Sequence, residues 1–133
     1  MTVLFLVGRI VFALYWLHAA YQHLFKSAGL VGYTQAKAGY KSVGTAKFAV
    51  IGTGVLLAIG GITLLLGIWV RLGILCLVIF LLGAAFKMHA YWKETEPNAV
   101  MSENIHFWKD IALAAALLML LAVPLPWMYA LSW

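Results

Sequence analysis

Charge is what this sequence has least of. Only 10% of its 133 residues are Asp, Glu, Lys or Arg, where a soluble globular domain carries about a quarter. That leaves too little polar surface to coat a water-soluble fold. Acids are scarcest, four against nine Lys and Arg, for a net charge of +5. In a soluble protein such an excess would point to nucleic acid. Here the basic residues are scattered over segment ends, and no Arg-rich helix or aromatic platform accompanies them, so nucleic-acid binding is excluded. The excess reads instead as membrane topology and lipid contact. One cysteine, Cys76, lies inside an apolar run; an intrachain disulfide and a C-x-x-C dithiol relay are both ruled out.

What is present is hydrophobic: 65% of residues are apolar or aromatic, and the mean hydropathy is +1.00. The runs are long enough to cross a hydrocarbon core, which takes about 20 helical residues. They predict an all-α membrane protein, an antiparallel bundle of four transmembrane helices over residues 3–25, 46–70, 72–92 and 104–123, forming a single membrane domain over 1–133. The first run starts Met-Thr-Val and continues past Tyr15 and Trp16, longer and less basic at its start than a signal peptide. Arg9 is expected to snorkel to the nearer surface. The connection from Ser27 to Thr45 interleaves glycines with Tyr33, Lys37, Tyr40 and Lys41, which predicts a partly helical, interfacial segment with its lysines on lipid phosphates. Gly54, Ala58 and Gly61 share one face of the second span, the small-residue spacing that lets helices approach in lipid.

The second and third spans are joined by a very short turn bearing Trp69 and Arg71. Lys93 to Glu103 reads as an acidic loop interrupted by Pro97; three glutamates and one lysine give it a net charge of −2. Pro124, Pro126, Trp127, Tyr129 and Trp133 form an aromatic interfacial tail, and Tyr15, Trp16, Trp69, Tyr91 and Trp127 read as belt residues. Lysines flank the first and third connections, which the positive-inside rule places in the cytoplasm.

Side-chain chemistry concentrates between Lys87 and Asp110. His18 and His23 end the first span, His89 ends the third and His106 opens the fourth, so all four histidines fall toward one membrane face. His18 and His23, five apart, point about 140° from each other and form no chelating pair. Ionisable groups inside a bilayer cost about 2.5–3.5 kcal/mol each at its centre and so turn inward or pair. This predicts a polar pocket at one end of the bundle, where His23, His89 and His106 approach one another. The candidate residues are His23, His89, Trp92, His106, Lys109 and Asp110. His106, Lys109 and Asp110 share a helix face that is expected to look inward, and Lys87 to snorkel while His89 faces the bundle.

Several of these blocks carry a resemblance. Gly8-Arg9, Gln22-His23-Leu24-Phe25, Gly32-Tyr33, the run Ile51 to Gly61, Arg71, Met88-His-Ala-Tyr-Trp92 and Glu103-Asn-Ile-His-Phe-Trp-Lys-Asp110 resemble the DoxX family of small four-span bacterial and archaeal membrane proteins. Asp110 stands where that family usually has Asn, and Leu57 where some members carry Glu. The resemblance implies a prokaryotic plasma membrane, and a subunit or partner of a membrane oxidoreductase system with other redox subunits or self-association. Three readings stay open. The polar end forms a quinone or small-anion pocket, with Lys109 and His89 as donors and His106 or Asp110 as proton acceptor. Alternatively the chain is a non-catalytic accessory or scaffold subunit whose polar residues satisfy one another. In the third, the histidines hold haem or a metal, although Met88 and Met101 make no copper-like repeat.

Overall fold

The computed structural model describes residues 3–131; Trp133 of the expected aromatic tail lies outside them. The described chain is helical, in the order α1 (Val3–Phe25), α2 (Ser27–Ala38), α3 (Val43–Leu66), α4 (Val70–Met88) and α5 (Pro97–Met119). Single 3-10 turns at Tyr91–Lys93 and Leu120–Ala122 extend the last two. With those turns, four segments are long and apolar enough to span a membrane: Val3–Phe25, Val43–Leu66, Val70–Lys93 and Pro97–Ala122.

Local chemistry sets the boundaries. The Ser42 hydroxyl accepts the Thr45 amide at 3.1 Å, which caps α3 three residues earlier than hydropathy alone indicates. Its far end closes on Gly67 at φ 74°, whose amide returns to Thr63 O at 2.9 Å. The left-handed residue turns the chain at once into α4. Pro97 does not interrupt a loop. It occupies the first turn of α5, where proline has no hydrogen bond to lose and its fixed φ suits a helix, so most of the expected acidic loop is helical.

Packing runs α1 on α3, α3 on α4 and α4 on α5, all antiparallel neighbours, whereas α1 and α5 approach each other closely at hardly any point. The centre of this arrangement is α3, which has small residues on two faces. A methyl group at Gly54 would sit 2.8 Å from Leu24, and one at Gly61 2.8 Å from Leu17, both on α1. On the other face Gly60 lies under Leu77, and Gly73 of α4 lies under the Thr63 side chain. The bilayer offers no hydrophobic drive between helices, so this close approach supplies the van der Waals attraction that holds them. Trp16, Leu57, Leu64, Ile74, Leu77, Leu81 and Leu117 fill the core.

Two aromatic assignments change. Trp16 is buried, edge-on to Phe12 and Phe80, and Trp127 is buried against Phe5 at 5.2 Å. Neither is a belt residue. Arg9 does not snorkel: it is 8% exposed, and its guanidinium donates to Met128 O at 2.8 Å and Tyr129 O at 3.3 Å. With Leu131 N bonded to Leu66 O at 3.0 Å, these contacts fold the C-terminal segment across the ends of α1 and α3.

Candidate functional site

The four acids of the sequence are Glu94, Glu96, Glu103 and Asp110, all between the end of α4 and the middle of α5. Two of them are buried, Glu103 at 8% and Asp110 at 5% exposure. A buried carboxylate is tolerated when cations and donors surround it, and the fold brings them from three helices. Lys37, on the last turn of α2, reaches Glu94 Oε1 at 2.6 Å and Glu103 Oε1 at 2.7 Å. These two hydrogen bonds, the one to Glu103 first, hold the lysine above its ordinary range. His89 closes α4 and donates from Nδ1 to the other Glu103 oxygen at 2.7 Å. Its Nε2 lies 3.7 Å from Asp110, and its ring packs on His106 with centroids 5.1 Å apart. Lys109 Nζ donates to His106 Nδ1 at 3.1 Å, which assigns the proton of a neutral His106 to Nε2.

Beside this cluster α2, α3 and α4 enclose a cavity of about 380 Å³. Its walls are apolar at Leu30, Leu56, Ile79 and Phe80, and polar at His23, Thr53, Tyr33, Tyr40 and His89. The Thr53 hydroxyl donates to the carbonyls of Ala49 and Val50, each at 2.9 Å. Its one proton is therefore committed, and it accepts from His23 Nδ1–H at 2.9 Å. That fixes the tautomer: Nε2 of His23 keeps its lone pair. Tyr33 holds its proton more firmly than a free phenol, through burial first and the Glu103 charge second. The cavity thus combines phenolic donors, an imidazole acceptor and hydrocarbon walls. Lys87 and Gly83, both exposed, stand at its edge.

The six expected residues fall into separate places. His89, His106 and Asp110 come together in the cluster. His23 shares the cavity with His89, but its hydrogen bonds go to α3, and His106 lies outside the lining. In place of an inward lysine, Lys109 keeps its side chain 48% exposed, 3.9 Å from Asp110. Trp92 is exposed and packs with Phe86, Tyr91 and Phe107. Among the described residues no three His, Cys, Asp or Glu side chains converge as metal ligands. Sequence reasoning missed Lys37 as an ion-pair partner and Tyr33 and Thr53 as cavity walls. Tyr33 and Lys37 are four apart on α2, a shared face that was legible; the Thr53 partnership with His23 spans two helices and was not.

The DoxX family model matches residues 4–90. The chain belongs to the DoxX family. The match takes in α1 to α4 and stops at Ala90, so the DoxX-like block from Glu103 to Asp110 lies beyond it. The cavity walls, Lys37 and His89 fall inside the matched region of this DoxX protein, while the carboxylates they meet lie beyond it, on α5 and the turn before it. No curated protein and no solved structure matches the chain.

Proposed function

We propose that this DoxX-family membrane protein binds a quinone headgroup in the cavity under α2, and serves as the quinone-holding subunit of a membrane oxidoreductase system. The observation that carries the reading is the cavity itself. It has room for a substituted ring, hydrocarbon walls at Ile79 and Phe80, and polar groups of both kinds. Phenol O–H groups of Tyr33 and Tyr40 suit a quinone carbonyl, and the free Nε2 of His23 suits a quinol hydroxyl. The isoprenoid tail leaves past Gly83 toward lipid.

Equilibrium dialysis of decylubiquinone against the detergent-purified chain tests this. One saturable site is expected, weakened up to about tenfold in His23→Phe, which keeps a ring against Phe80 and removes the acceptor, and abolished in Thr34→Trp, which fills the cavity. Equal binding by all three proteins defeats the proposal.

The accessory-subunit reading draws on a different observation: Lys37, His89 and Glu103 satisfy one another without a ligand. It expects no saturable quinone site and a stoichiometric partner protein on mild purification. The haem or metal reading has no converging ligand set behind it among the described residues.

A further inference from the structure

Far from the histidines, at the end where α1 begins, a second cavity of about 340 Å³ lies in the seam between α1 and α5. Phe5, Phe12, Leu64 and Leu120 line it with hydrocarbon, and the exposed Gly8 and Ala116 stand at its mouth. Among the described residues its polar lining comes from Arg9 and Trp127. Both are more than nine-tenths buried, and both keep a donor unsatisfied: Arg9 Nε and Trp127 Nε1 have no hydrogen-bond partner among the described residues. Trp16 Nε1 is also unpaired, but it lines neither cavity.

The guanidinium has five N–H donors, and two of its hydrogen bonds go to the Met128 and Tyr129 carbonyls. Neutral carbonyls satisfy donors without neutralising a charge. No Asp or Glu can do so here, because all four acids lie in the segment from Glu94 to Asp110 at the opposite end of the bundle. A buried cation with no carboxylate beside it among the described residues is among the most costly groups a membrane protein can keep. An oxyanion in this cavity would meet the cation together with the two idle N–H groups, and an apolar chain attached to it would meet the hydrocarbon lining.

We propose that the α1/α5 cavity holds one bilayer phospholipid, its headgroup phosphate on Arg9 and Trp127 and one acyl chain along the seam. Depth favours a lipid phosphate over a soluble anion. Arg9 is six residues into α1 from Val3, about 9 Å along the axis, which puts its side chain within reach of headgroup level. The seam opens sideways to the bilayer, since α1 and α5 scarcely approach each other. An arginine fork matches phosphate oxygens in pairs.

Native mass spectrometry of the full chain in a neutral detergent, with added dioleoylphosphatidylglycerol, is the test. One lipid per chain should survive activation that strips the rest. Ala116→Phe fills the mouth while leaving the Arg9 hydrogen bonds untouched, and should lose that lipid with helical content and melting unchanged. Trp127→Phe, which keeps a ring against Phe5 and removes one N–H, should weaken retention by about fivefold. Dioleoylglycerol, with the same chains and no phosphate, should not compete. The proposal is overturned if Ala116→Phe retains the lipid like the parent, if dioleoylglycerol competes equally, or if added oleate is held in preference to the phospholipid.

Discussion

The two ends of this bundle treat charge in opposite ways. At the histidine end, Lys37, His89, Glu94, Glu103 and Asp110 come from three helices and the turn between α4 and α5, and pair with one another within about 4 Å. At the other end the buried Arg9 guanidinium is tied to two backbone carbonyls and meets no Asp or Glu. The first arrangement is closed and internally satisfied. The second leaves donor capacity facing a cavity. A cluster of ionisable residues is thus the less demanding of the two sites, and the lone buried arginine the one that asks for something from outside.

The sharpest way to break the contrast is to open the closed end. Glu103→Ala removes the buried carboxylate shared by the partly buried Lys37 and His89 and leaves them only Glu94 and Asp110, a change of up to about 3–5 kcal/mol when a buried pair is broken. The expected result is a large drop in unfolding midpoint in detergent; a midpoint within a degree of the parent would mean that the cluster is solvated and loose. Between the ends, Gly60→Ala presses a methyl group into Leu77. It should cost about 1–3 kcal/mol while leaving lipid retention and quinone binding per folded molecule unchanged, which shows whether the seams of α3 are independent of both ends.

Lys37→Met should cost less, because the lysine is about a quarter exposed and part of its interaction is screened. Its main effect is on α2, which limited proteolysis should cut faster. The pH dependence follows from the raised lysine value. The folded chain holds the proton more tightly than the unfolded one, so this contribution is full below the ordinary lysine value of about 10.4 and fades only as pH rises through the higher folded value. Parent and variant should therefore differ in midpoint by the same amount at pH 7 and pH 9.5; a gap that closes by pH 9.5 would contradict the pairing. Smallest of all is Lys109→Met. Half-exposed and bonded to His106, this lysine should be worth no more than about 1 kcal/mol, and quinone binding should be unaltered.

The membrane spans were legible because each is a property of one continuous stretch. The histidine end was legible for the same reason: the positions of His23, His89 and His106 in their runs fix the face they fall on. What stayed hidden depends on residues distant in sequence. Arg9 looked free to snorkel because its partners are 119 and 120 positions away, and Trp127 looked like a belt residue because only the folded tail brings it to Phe5. Pro97 was ambiguous on local grounds alone, since the same residue ends one helix or starts another according to which side the helix lies. Lys37 was read against lipid because nothing in α2 announces that α5 will bring Glu103 to meet it.

The bond between Arg9 and the C-terminal segment also has a consequence in time. A ribosome makes Met128 119 residues after Arg9. At about 5–20 residues per second, the 119 positions between them correspond to roughly 6–24 s during which the first span exists and its carbonyl partners do not. Throughout that interval the first span lacks these two acceptors for Arg9. The first span therefore acquires these two hydrogen bonds only after the other three spans have been synthesised.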